Sequence, residues 1–162
     1  FDNAVYQSER QSADRNRALA YFMRENKAFP AGTDLEETLE LYFQCCSLTL
    51  NTQTLAVAAA TLANGGVCPL TEQNHLAAGP LRNCLTIMAT CGMYNYSGEF
   101  AFKIGLPAKS GVSGGLMLVV PGIMGIAIWS PALDNYGNSV RGVAFCRELV
   151  KRIPLHIYQP RN

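Results

Sequence analysis

The run Pro107-Ala108-Lys109-Ser110-Gly111-Val112-Ser113-Gly114-Gly115 concentrates the residue types best suited to chemistry in this chain. The apolar stretch Leu116-Met117-Leu118-Val119-Val120 follows it directly. Glycines weaken an ordinary strand, so three of them here imply close backbone approach by a ligand or another strand. The plainer alternative is a strand-end charge followed by turn residues. The order Gly-x-x-x-x-Gly-Lys is missing, which excludes a Walker A loop. Glu9 and Asn16 lie seven residues apart, two helical turns, and would share a face of one helix. A carboxylate and an amide so placed can hold a polar ligand. They can equally be a dipole-favoured charge and an exposed polar residue. Tyr42 sits among apolar residues, where a phenol is usually core. Tyr94 follows Gly92 in a loop, where an aromatic either faces a ligand or caps the preceding helix. His75 and His156 have no carboxylate or cysteine at a suggestive spacing, so a Cys-His protease is weakly supported. Trp129, the single tryptophan, reads as packing.

The elements that must position these residues are mostly helices. Apolar spacing predicts a helix over residues 8–26, with Phe29-Pro30-Ala31-Gly32 as the turn after it. Thr33 or Asp34 caps a second helix whose face is Leu35, Leu39, Tyr42, Phe43 and Cys46. Asn51 or Thr52 opens a third, stopped by Asn64-Gly65-Gly66. A loop over 67–79 leads to a fourth helix from Pro80 to about Thr90, ended by Gly92. A short helix is expected at 99–103. Residues 112–120 and 124–130 read as two strands around a Pro121-Gly122 hairpin turn. Asn138 or Ser139 caps a last helix that Pro154 blocks. A lone hairpin is marginal in water. Further strands are therefore expected from sequence before Phe1. Phe1 opens directly in folded-looking sequence without an initiator Met or leader, so a truncated chain is expected.

Composition narrows the class. The chain has 162 residues, enough for one domain with a core. It is 49% hydrophobic and 15% charged, which is globular rather than disordered. A net charge of +1 without a basic, aromatic-interleaved cluster gives no case for nucleic acid. The longest apolar run is too short to span a bilayer. The six cysteines show no Cys-x-x-Cys spacing, so no metal site is expected. They read as buried free thiols of a reducing compartment.

The blocks Gln7-Ser8-Glu9 with Asp14-Arg15-Asn16, Leu41-Tyr42-Phe43, Leu62-Ala63-Asn64-Gly65-Gly66, Cys91-Gly92-Met93-Tyr94, Gly105 to Val112, and Trp129-Ser130-Pro131-Ala132-Leu133-Asp134 with Gly137-Asn138-Ser139 occur in order along the chain. Together they resemble the serine-dependent glutaminase family. The Lys-Ser-Gly triplet at the start of an apolar strand also resembles the corresponding strand of penicillin-binding proteins and serine β-lactamases. The glutaminase resemblance implies an α+β, β-lactamase/DD-peptidase-like fold, a helical cluster plus an antiparallel sheet. Residues 1–162 would be the C-terminal part of a single catalytic domain. It implies hydrolysis of L-glutamine to L-glutamate and ammonia through a serine acyl-enzyme, without a cofactor. The family's glutamine-binding Glu and Asn fall on Glu9 and Asn16. Its two binding or catalytic tyrosines fall on Tyr42 and Tyr94, and its oxyanion-hole valine on Val112. The glycines around Val112 suit a backbone N–H that stabilises developing charge. No Ser-x-x-Lys occurs in these 162 residues, so this chain alone is expected to be inactive. A dimer or tetramer is implied, with no nucleic-acid or membrane partner. The implied compartment is cytoplasmic, or mitochondrial for an animal protein. The rivals are a non-catalytic glutamine-binding module and a penicillin-binding or β-lactamase-like acylase.

Overall fold

In the computed structural model, which describes residues 1–159, the chain forms two compact units, residues 1–50 and the remainder from Asn51.

The first unit holds α1 (Asn3–Gln11), α2 (Asp14–Glu25) and α3 (Leu35–Cys46). Asp2 starts α1 by accepting from the Ala4 and Val5 backbone N–H groups. Asp34 caps α3 through the Glu37 N–H, and Glu36 and Glu37 oppose the positive helix end. The single helix expected over 8–26 is corrected to two. Ser12 donates its hydroxyl back to the Ser8 carbonyl at 2.7 Å, and the chain turns at Ser12 and Ala13. The turn delivers Ala13 into a core shared with Ala20, Leu35, Leu39 and Phe43. Tyr42 and Cys46, expected on the buried face of α3, are exposed.

The second unit holds α4 (Thr52–Ala63), α5 (Ala78–Cys91), α6 (Ser97–Lys103) and α7 (Val140–Arg152). Its sheet is antiparallel, in the order β1 (Ala108–Ser110), β2 (Gly115–Val120), β3 (Met124–Trp129). β1 pairs Lys109 with Met117, and β2 pairs Leu118 with Ile126. β2 is covered on both faces. Leu116, Leu118 and Val120 join Met93, Phe100, Ile104, Val143 and Cys146. Val119 joins Ala59, Ala63 and Met88 on the other side. α4 lies so close to β3 that a Cβ built at Gly125 would sit 2.0 Å from the Ala60 nitrogen.

The expectation of two strands is corrected. Lys109 and Ser110 end a strand of their own, and β2 begins at Gly115 rather than Val112. The intervening residues 111–114 turn the chain, with Gly114 at φ +90°. The hairpin therefore gains its third strand from the segment just before it. Asn51 and Ser139 cap α4 and α7, and Gly92 ends α5. The expectation of buried cysteines holds for Cys68 and Cys146, whereas Cys45, Cys46, Cys84 and Cys91 are exposed. Among the described residues no helix is long and apolar enough to cross a membrane.

Candidate active site

The candidate residues divide between the two units. Glu9 lies half-buried on α1 and Asn16 half-buried on α2. The shared face of one continuous helix therefore does not exist, because the break at Ser12 and Ala13 separates them. Asn16 does meet Tyr42. Both line a cavity of about 230 Å³ whose other walls are Leu19, Ala20, Met23, Phe29, Leu35, Thr38 and Leu39. Its lining is apolar apart from Asn16, Thr38 and Tyr42. Glu9, the one candidate with a charge to offer an ammonium group, is not among its walls. Tyr42 is 49% exposed and meets the Phe43 ring edge-on at 6.0 Å. α1 and α3 are tied by the Tyr6 hydroxyl donating to the Glu40 carboxylate. That bond holds the Glu40 carboxyl below its ordinary range.

The second unit brings Tyr94, Lys109, Ser110 and Val112 into one neighbourhood. Gly92 ends α5 against β1; a Cβ there would lie 1.7 Å from the Ala108 carbonyl oxygen. The Ser110 N–H donates to the Gly92 carbonyl at 2.9 Å, which locks β1 to the helix end. Two residues on, Tyr94 adopts φ +54°, a left-handed backbone that costs a non-glycine residue energy. Ser97 supports that turn. Its hydroxyl donates to the Tyr94 carbonyl at 2.7 Å and accepts from the Met93 N–H at 3.0 Å. The ring is thereby turned towards β1. The Tyr94 hydroxyl donates to the Ser110 carbonyl at 3.2 Å, and the Lys109 ammonium donates to that same oxygen. The Lys109 nitrogen also lies 5.0 Å from the centre of the Tyr94 ring, a cation–π contact. Tyr94 remains 39% exposed, and partial burial pushes its phenol above the ordinary value.

Val112 stands at the tip of the β1–β2 turn, 72% exposed. Among the described residues its backbone N–H donates to no acceptor. A backbone donor fixed in an exposed turn and unused by the fold can serve an oxyanion. The turn itself is fixed by Gly111 N–H to Gly115 carbonyl at 2.9 Å and Gly114 N–H to Gly111 carbonyl at 3.0 Å. Gly137 sits between the two candidates, where a Cβ would lie 3.6 Å from the Tyr94 ring and 3.9 Å from a Val112 methyl.

Sequence reasoning missed the floor of this neighbourhood. Asn138 is fully buried and donates to the Met93 carbonyl at 3.3 Å. The side-chain atoms Ser110 Oγ and Asn138 Oδ1 are buried with no hydrogen-bond partner among the described residues. Asn138 was named only as a candidate helix cap and within the block Gly137-Asn138-Ser139, neither of which says what it supports. Trp129, read as packing, is 61% exposed. His156 packs its ring on Gly105, where a Cβ would meet it at 2.2 Å, so it is a structural histidine.

The chain matches the glutaminase family model over residues 1–158. The mitochondrial liver-isoform glutaminase of Rattus norvegicus is 51% identical over 158 residues, covering 98% of this chain and 26% of that protein. A glutaminase of Nostoc sp. is 49% identical over 158 residues, covering 98% of this chain and 47% of that one. A crystal structure of a Bacillus subtilis glutaminase, in covalent complex with 5-oxo-L-norleucine formed from 6-diazo-5-oxo-L-norleucine, superposes with a TM-score of 0.85 at 38% identity. That match covers 96% of this chain and 55% of the other. The chain thus spans about half the length of these bacterial relatives and about a quarter of the rat protein. A match in sequence along nearly every described residue, joined to one in fold, places the chain in the glutaminase family.

Proposed function

We propose that the protein carrying this chain hydrolyses L-glutamine to L-glutamate and ammonia, and that residues 1–162 are the C-terminal part of its catalytic domain. The family match over residues 1–158 is the observation that carries the reading. The covalent complex of the Bacillus subtilis relative with 5-oxo-L-norleucine supports a nucleophilic mechanism on a glutamine-like side chain. A serine Oγ attacks the side-chain amide carbon, the C–N bond breaks, and ammonia leaves with the proton it receives. Water then hydrolyses the ester, releasing glutamate and restoring the serine. The nucleophile is not in this chain, which lacks Ser-x-x-Lys; the remainder of the protein supplies it. Within these residues Glu9 binds the α-ammonium group and Asn16 the polar backbone of the substrate. Tyr42 and Tyr94 bind substrate and manage protons, and the Val112 N–H stabilises the oxyanion. The reaction needs no cofactor. The active protein is a homo-oligomer, dimer or tetramer, and acts in the cytoplasm. The mitochondrial compartment of the rat relative is the alternative for an animal source.

The test is glutamate and ammonia release from L-glutamine by the intact gene product, beside the 162-residue chain alone. Turnover by the first and not the second is expected. Hydrolysis of a chromogenic β-lactam in place of glutamine would make it a β-lactamase-like acylase. Calorimetric glutamine binding by the intact product without ammonia release would make it a binding module.

A further inference from the structure

We infer that Trp129 is a positioning residue that holds the β1–β2 turn so that the Val112 N–H keeps the direction an oxyanion donor needs; this rests on the glutaminase reading above. Trp129 closes β3, paired with Gly115 at the foot of the turn. Its indole N–H donates to the Ser113 carbonyl at 3.0 Å. Ser113 follows Val112 directly, and its carbonyl is fixed by this bond from outside the turn. The next peptide is held by the same strand end, since the Ser130 N–H donates to the Gly114 carbonyl at 3.0 Å. Gly114 is pressed against it, with no room for a Cβ, which would lie 2.5 Å from the Ser130 carbonyl oxygen. Ser130 is fixed in turn by the Ser139 hydroxyl, which donates to its carbonyl at 2.9 Å. The turn is therefore anchored at Gly114 by backbone and at Ser113 by a side chain. The Ser113 anchor lies on the Val112 side and is the only one of the two that a substitution can remove without moving backbone. An oxyanion donor works by being preorganised, so a turn that swings after losing this bond still binds glutamine but stabilises the transition state less.

The test uses the intact gene product with Trp129→Phe, and with the benzothiophene isostere of tryptophan placed at position 129, which keeps the ring shape and lacks the N–H. Amide hydrogen exchange at Gly111 and Gly114, whose N–H groups hold the turn, is expected to quicken about tenfold in both, since the turn opens locally. Turnover number is expected to fall about tenfold with KM within about twofold, less than deletion of an oxyanion donor costs. Unchanged exchange in Trp129→Phe overturns the inference whatever the activity. So does an isostere that behaves like tryptophan, because the ring and not the bond would then matter. Faster exchange with unchanged turnover number also overturns it. Wild-type protein that releases no ammonia from glutamine defeats the glutaminase reading and the catalytic half of this inference together, and exchange still reports separately on the anchor.

Discussion

Lys109 and Tyr94 share one acceptor: the ammonium and the phenol both donate to the Ser110 carbonyl oxygen, and the ammonium lies 5.0 Å from the centre of the phenol ring. The lysine thus fixes where the ring lies and what field it feels. Tyr94→Phe in the intact protein is expected to lower kcat about a hundredfold while leaving the fold in place, the range for a lost proton-handling group. Lys109→Met is expected to lower kcat/KM about fivefold, the worth of one cation–π contact, and Lys109→Arg to recover most of it. Steady-state kinetics of the three variants check this.

Burial raises the Tyr94 phenol above its ordinary value, which has a consequence for alkaline stability. The folded state holds the proton more tightly than the unfolded chain. The contribution is therefore complete below the unfolded phenol value of about 10 and is lost as pH rises through the folded value. Tyr94→Phe should flatten the loss of stability in that window and leave the pH dependence near pH 7 unchanged. Urea midpoints measured from pH 7 to 11 would show it, and an identical alkaline slope in both proteins would count against it.

Two glycines should respond oppositely to alanine. At Gly92 a Cβ would fall 1.7 Å from the Ala108 carbonyl oxygen, so Gly92→Ala must push β1 away from the end of α5. A loss of about 3 kcal/mol is expected, at the upper end of overpacking costs. Gly98 lies within α6 with nothing near it, and Gly98→Ala should gain about 0.5–1 kcal/mol. Thermal melts of the pair test the contrast.

The cysteines should label in a fixed order. Cys45, Cys46, Cys84 and Cys91 are exposed and should alkylate first in native protein. Cys146 is fully buried, and burial pushes its thiol up to about 12, so it should stay unmodified at pH 8 until the protein unfolds. Cys68 is also buried, but hydrogen bonds from Thr71 and the loop backbone bring its thiol down to about 7. It should label after the exposed four and before Cys146. Mass spectrometry of timed iodoacetamide reactions reads the order.

Much of the fold was legible because its punctuation is chemical. Asp34, Asn51 and Ser139 announce helix starts by their side-chain acceptors, and Gly92 announces a helix end. The break between α1 and α2 was not legible. No glycine or proline marks it, and the chain turns because Ala13 is wanted in the core. Strand β1 is three residues long, too short for alternation to register, and exists through its pairing with β2. Of the candidate site, Val112 was expected to open a strand and stands instead in the turn before β2, while the place of Tyr94 just beyond a helix end followed from Gly92. Their convergence on Gly137 did not, because that contact spans distant segments of chain.

Tyr94 keeps a backbone conformation that glycine would hold without strain. Tyr94→Gly would relieve that strain, but it would lose the hydroxyl's bond to the Ser110 carbonyl and give the unfolded chain more freedom, so no net gain in stability is expected. The same exchange would delete the phenol and with it the lysine's ring partner. The strain is thus held in place by the same side chain that the site uses, and relaxing it removes the phenol along with the cost.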